Sequence, residues 1–170
     1  GMGRIKDLKR LVNLIVHIVT RTVHIEHSSV YLYDNEEKKY FLEASRNRGA
    51  NTNGALDGNS PLIAYLKEIK EPIVYEEIKQ RTQDYSDAKL ARVETYLRDL
   101  DAAVAVPSFI EDKLLAIIIL GKKNSGKLYS EDDLAVFTIL ANQAALAIEN
   151  AQFYEDVKHT QEQLFQAEKM

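Results

Sequence analysis

The residues of this chain best suited to hold a metal or to move a proton near neutral pH are His17, His24, His27 and His159. His24 and His27 form a His-x-x-His pair. A metal site needs further ligands, and no Cys or carboxylate completes a ligand geometry around the pair, so both read as solvated histidines and no metal is expected. The chain has no Cys. Thiolate nucleophiles, disulfides, Cys-ligated zinc and iron–sulfur clusters are thereby excluded. No spacing suggests a Ser-His-Asp arrangement, and no glycine-rich loop could cradle a phosphate chain. Asn53-Gly54 and Asp57-Gly58 are turn dipeptides. The chemistry on offer is that of recognition rather than turnover.

The chain has 170 residues, 45% of them hydrophobic and 28% charged, which is the composition of one globular domain. Its formal net charge is −4, with Lys and Arg scattered among acids. Nucleic-acid binding calls for a concentrated positive surface, so no nucleic-acid partner is expected. No run reaches the roughly 20 apolar residues of a membrane span; Leu114 to Leu120 is a buried strand instead, and no membrane contact is expected. The lack of Cys fits a cytoplasmic location. Gly1 ahead of Met2 reads as a tag remnant, so residues 1–3 are set apart.

The elements follow from periodicity. Ile5 to Val23 is a helix with Leu8, Leu11, Ile15, Ile18 and Thr22 in one stripe, widened by Leu14 and Val19. Ser28 to Asp34 and Tyr40 to Arg46 are β-rich and form a hairpin around Asn35 to Lys38. Asn47 to Asn59, with three Gly and four Asn, is a loop. Ser60-Pro61 opens a helix that ends ahead of Pro72, and Ile73 to Tyr75 is a short strand. Glu76 to Leu100 is polar and mixed, most helical over Ala88 to Leu97. Ala102 to Ile110 and Leu114 to Lys122 are apolar strands, central in the sheet and buried on both faces. Ser130 and Asp133 make a weak capping box for a helix without Gly or Pro to Met170. Its length of ~55 Å exceeds the domain, so it should project. Mixed strands and helices without regular alternation point to α+β with an antiparallel sheet.

Leu120 to Glu155 then carries a specific pattern. A strand ends near Gly-Lys, a short loop and an aromatic follow, and an Ala-rich helix closes with Ala147, Glu149, Asn150, Ala151, Tyr154 and Glu155. This resembles the C-terminal signature of GAF domains, and the looser features from residue 4 to about 158 fit the same family. The resemblance implies a GAF-like, PAS-related antiparallel sheet of about six strands. The N- and C-terminal helices would pack on one face and short helices would lie over the other. The Ala141, Ala144, Ala145 and Ile148 face suits such close packing. Residues 4–155 would be the sensory domain. Residues 156–170, from Gln161 to Met170 above all, resemble the linker ahead of the phospho-acceptor helix in sensor histidine kinases. On that resemblance the phosphorylated His lies beyond Met170, and His159 is not it.

Cyclic-nucleotide-binding GAF domains carry an Asn-Lys, a Phe and an Asp-Glu, which fall here on Gly121, Lys122, Tyr129, Asp133 and Leu134. Only Lys122 and Asp133 match. The preferred reading of the two is a strand-end ion pair plus a helix cap, and no cyclic nucleotide is expected. Cys-dependent chromophore binding and methionine sulfoxide reduction are excluded with Cys, and no haem is expected. If a small molecule binds, the family's pocket implies a wall from the middle of the chain: Arg46, Ser60, Tyr75, Tyr85, Tyr96, Ala103, Ala105 and Pro107. A Tyr offers an apolar body with a polar tip, and Arg46 could pair with an acidic ligand. Each has a plainer reading, as core or rim for the Tyr residues and as a solvated hairpin charge for Arg46.

The last helix carries Ile139, Gln143, Leu146, Asn150, Phe153, Val157, Thr160, Leu164 and Ala167 in three-four alternation, a heptad seam with polar interruptions. With the first helix it suggests a homodimer through Leu8, Leu11, Ile15, Ile18, Leu146, Phe153, Val157 and Leu164. The expected function is a non-enzymatic sensory GAF module of a two-component protein, relaying a small-molecule or partner signal to a downstream histidine kinase core. The alternatives are a GAF domain that only dimerises and relays, or one serving another output such as a diguanylate cyclase or chemotaxis receptor.

Overall fold

The computed structural model describes the backbone of residues 2–47 and 54–169, with side chains described for 9–47 and 54–151 except 20, 22 and 23. The order is α1 (Met2–Val23), β1 (Ser28–Asp34), β2 (Lys39–Arg46), β3 (Ala55–Asp57), α2 (Pro61–Ile69), β4 (Ile73–Val74), α3 (Tyr75–Asp84), α4 (Ala88–Asp99), β5 (Val104–Ile110), β6 (Lys113–Leu120) and α5 (Glu131–Lys169). The strands form one antiparallel sheet in the order β3-β2-β1-β6-β5-β4. This is the α+β architecture the sequence implies.

Alternation along the strands splits the core in two. Even residues of β1 and β5, Val30, Leu32, Val104 and Val106, meet α1 and α5. Tyr31, Tyr40, Ala105, Ile117 and Ile119 face the other way, under α2, α3 and α4. On the first face α5 lies chiefly along β5 and α1 along β2, and the two helices touch. Ala141, Ala144 and Ala145 are buried there, and their small side chains let α5 lie close.

Caps set the helix starts. Ser60 Oγ accepts from Ile63 N at 3.4 Å, with Pro61 in the first turn of α2. Asp87 caps α4 by accepting from Lys89 N at 2.9 Å. At α5, Asp133 N donates to Ser130 Oγ at 3.1 Å and Ser130 N donates to Asp133 Oδ2 at 2.9 Å, a reciprocal box.

Four readings are corrected. Ala55–Asp57 is a strand paired with β2, not loop, because Leu56 is buried under α2. Tyr75 opens α3, a helix that polar composition hid; it is anchored by Ile78, its one fully buried residue. The buried stripe of α1 is Val12, Ile15, Val16 and Val19, while Leu14 and Ile18 are exposed. Ile15 is therefore core rather than a pairing surface, and Leu11 packs half-buried on the same core. His27 is not solvated: it is 4% exposed, whereas His24 is exposed in a left-handed turn. Glu131–Ala151 is long and apolar enough by composition to cross a membrane, but its alanine face belongs to the core.

Candidate functional site

At one end of the sheet β6 stops, β1 and β5 begin and β4 passes into α3. Backbone bonds bind these segments. Ala103 N donates to Leu120 O, Gly121 N to His27 O, Glu26 N to Lys122 O and Tyr75 N to Ala103 O, each at 2.8 Å. Asn124 N reaches back to His24 O at 2.8 Å. The loop between β6 and α5 is thus laced to the entry of β1. Between it and the first turn of α3 opens a cleft of about 570 Å³. That volume suits a small molecule.

Two tyrosines stand at its sides. Tyr75 Oη donates to Glu94 Oε1 at 2.6 Å, and that bond, with burial, pushes its pKa up to about 12. Glu94 also lies 3.5 Å from Arg98, so three side chains brace α3 against α4. Tyr129 Oη donates to Gly121 O at 2.6 Å, and burial raises its pKa, helped by Asp133 and Glu26. Both phenols stay protonated through the physiological range and act as donors.

Beneath the cleft, His27 Nε2 bonds Asp101 O at 2.9 Å and lies 3.3 Å from Asp101 Oδ2. A carbonyl only accepts, so Nε2 carries the proton. The ring packs so tightly on Gly121 that a Cβ there would stand 2.5 Å from it. Lys123 pairs with Asp133 in the first turn of α5 and sits 5.3 Å over the Tyr129 ring. The Lys123 bond first, and the Ser130 amide after it, hold the Asp133 carboxyl below its ordinary pKa. The cap partner is therefore Lys123, not the Lys122 that motif placement selects; the backbone bridge Ile25↔Lys123 orients it.

Of the eight residues expected to wall a pocket, Tyr75 and Ala103 line the cleft, and the motif positions Lys122 and Tyr129 line it as well. The other six expected wall residues do not. Ser60 is spent as the α2 cap. Tyr85 is 69% exposed past the end of α3. Tyr96 packs half-buried on the core under α2 to α4, and Ala105 and Pro107 are buried within β5. Arg46 lies with Lys9, Arg10 and His17 in a separate shallow depression, its Nη2 2.6 Å from His17 Nδ1. Leu8, Phe153, Val157 and Leu164 have side chains outside the described residues; Ile18 and Leu146 are exposed. The reading missed Glu26, Lys79, Arg98, Asp101 and Lys127 on the cleft wall. The dense lysines of Lys122-Lys123-Asn124-Ser125-Gly126-Lys127 were the one local signal. Among the described residues no group of three His, Asp or Glu is placed to hold a metal.

A family model described as GAF domain matches residues 7–150 of this chain. Solved structures share the fold at low identity. A methyl-accepting chemotaxis protein (residues 122 to 287) superposes with a TM-score of 0.67 at 14% identity, covering 89% of this chain and 96% of that one. The GAF domain/HD domain protein from Geobacter sulfurreducens gives 0.66 at 14%, covering 88% and 96%. The GAF domain of a phosphoenolpyruvate-protein phosphotransferase from Coxiella burnetii gives 0.65 at 20%, covering 88% and 86%.

Proposed function

The chain belongs to the GAF domain family, and from that premise we propose that it is a non-enzymatic sensory module. It binds a small molecule in the cleft between Tyr75 and Tyr129 and passes the occupancy through α5 to a histidine kinase core. The observation that carries this reading is the bond between Lys123, in the cleft wall, and Asp133, in the first turn of α5. A ligand that engages the wall reaches the output helix through that contact, and through the Tyr129 ring, which packs edge-on to Phe137 of α5 at 6.0 Å. A ligand that prefers one setting of α5 over another shifts their populations by its difference in affinity for the two.

In this reading the module works in the cytoplasm as a homodimer. Leu14 and Ile18 on α1, and Val136, Ile139 and Leu146 on α5, are apolar and exposed. Apolar residues at three-four spacing on exposed helix faces are what a partner helix covers.

A second reading, dimerisation and relay without a ligand, is favoured by the filled core under α2, α3 and α4. Tyr31, Tyr40, Leu62, Ile63, Leu66 and Leu97 occupy it and are fully buried. A chemotaxis protein and a phosphotransferase share the fold, so a non-kinase output stands beside the kinase.

Native mass spectrometry of the purified chain tests these readings. A reproducible small adduct supports the ligand-binding module. A bare dimer favours relay alone, and a bare monomer at micromolar concentration counts against both.

A further inference from the structure

We infer that the dimer sets α1 of each copy against α5 of the other, so that the two α5 helices run the same way. This rests on the homodimer proposed above and names its pairing. The two helices touch side by side on one face of the sheet. α1 ends where β1 begins, and α5 follows the end of β6; Ser28 and Leu120, at those two strand ends, are paired. Lys123, bridged to Ile25, holds the first turn of α5 at that same end. The two helices therefore run in opposite senses, and their solvent sides make one two-helix surface.

Each helix brings charge of one sign to that surface. From Leu8 to Ile25 the chain has no Asp or Glu, and from Leu128 to Val157 it has no Lys or Arg. On α1, Arg10, Leu14, Ile18 and Arg21 follow at spacings of four, four and three, which is one helix face, and all four are exposed. On α5, Asp132, Val136, Ile139, Leu146 and Glu149 follow at spacings of four, three, seven and three, and all five are exposed. Lys9 has a counter-charge in Glu43 of β2, but Arg10, Arg21, Asp132 and Glu149 make no ion pair among the described residues. Asp132 also answers the dipole at the start of α5; Glu149, far from that end, does not. Each face is thus apolar between charged ends, basic on α1 and acidic on α5.

A two-fold axis can join two such surfaces face to face in two ways. An axis perpendicular to the helices sets α1 on α1 and α5 on α5. Arginines then face arginines and carboxylates face carboxylates, which like-charge repulsion opposes. An axis parallel to the helices sets α1 on α5 instead. It joins a basic face to an acidic one twice and covers Leu14 and Ile18 with the apolar residues of α5. The choice of axis also fixes direction. Rotation about an axis parallel to α5 preserves its sense, so both copies of α5 leave the bundle at one end. The other axis reverses one of them. Charge on the two helices thereby selects the arrangement in which both output helices point to one place.

The test is sedimentation equilibrium of the 170-residue chain and of two charge variants. Arg10→Glu/Arg21→Glu makes both faces acidic and should raise the dimer dissociation constant at least ~10-fold, since two attractive contacts become repulsive. Adding Asp132→Lys/Glu149→Lys to the same chain restores opposite signs and should return the constant to within ~5-fold of wild type. All four positions are exposed, so the fold should be unaffected. Self-paired helices respond otherwise: the first variant exchanges one like-charge contact for another and leaves the constant unchanged. That result, or no recovery in the fourfold variant, overturns the inference and leaves the homodimer standing. A wild-type chain that is monomeric throughout overturns both. Direction is read on Gln152→Cys, a unique spin-label site in a chain without Cys, by electron spin resonance. Parallel α5 helices put the two labels roughly 15–25 Å apart, about the diagonal of a four-helix bundle with the labels added. Opposed helices add the ~30 Å from Glu131 to Gln152, and a distance of that order overturns the inference.

Discussion

Asp133 shows how much one carboxylate can do. Its Oδ2 accepts from the Ser130 amide and from Lys123, and its own amide donates to Ser130 Oγ. Asp133→Asn should lower stability by up to about 1 kcal/mol, because it keeps the Ser130 cap but removes the negative charge from the first turn of α5 and the pair with Lys123. For a chain of this size that is a fall in Tm of ~2–4 °C. The pH dependence has a definite sign. The folded carboxyl is held below its ordinary value, so its contribution is complete above the unfolded pKa of ~3.9. The gap between wild type and variant should hold steady from pH 7 to 5. In thermal melts it should narrow progressively as pH falls below 4 and the folded carboxyl takes up its proton; a gap that does not narrow at all would show that the charge contributes nothing. The Ser-x-x-Asp spacing was readable from sequence because the cap is local. The Lys123 partner was displaced by one residue, because only the bridge to Ile25 decides which lysine faces the helix.

Gly121 and His27 make a contact that no local pattern announces. Gly121→Ala would drive a methyl into the His27 ring, and overpacking of this kind costs about 1–3 kcal/mol. The double variant with His27→Ala should be more stable than the two single losses predict when added. Strict additivity in urea unfolding would mean that the two side chains do not meet.

At the scale of elements, α5 presents alanines to the sheet and apolar residues to solvent. Ala144→Leu, on the buried side, should destabilise by about 1–3 kcal/mol, whereas Ala135→Leu, on the exposed side, should be nearly neutral. Equal effects in denaturant melts would contradict the packing of α5 on β5. The alanine face was legible because small residues at helical spacing have few other uses. The buried stripe of α1 was not. Leu14 and Ile18 repeat at helical spacing as well as Val12, Ile15, Val16 and Val19 do, and periodicity ranks no stripe above another. β3 and α3 escaped notice for related reasons. β3 has three residues paired on one side only, and α3 buries Ile78 while its other positions stay polar.

For the whole molecule, the exposed apolar residues of α1 and α5 give the dimer prediction. The double variant Leu14→Ser/Leu146→Ser should raise the dimer dissociation constant ~10-fold or more while leaving the melt of the monomer within ~0.5 kcal/mol, as exposed substitutions do. Sedimentation equilibrium reads the first and dilute-solution melting the second. Unchanged association would remove these faces from the interface.

By itself the sequence determined the class of fold, most helices and strands, the Ser60 cap, the Ser130–Asp133 box and the absence of cysteine chemistry. All of these rest on residue type and on contacts within a few positions along the chain. The tertiary structure alone decided which face of α1 is buried, that His27 lies under Gly121 and that Lys123 holds Asp133. It also decided that the cleft gathers Tyr75, Lys79, Arg98 and Lys127 rather than Arg46, Ser60 or Tyr85. The cleft exists because four strands bring their ends to one side of the sheet. Strand order is set by long-range pairing, and spacing along the chain does not encode which ends meet.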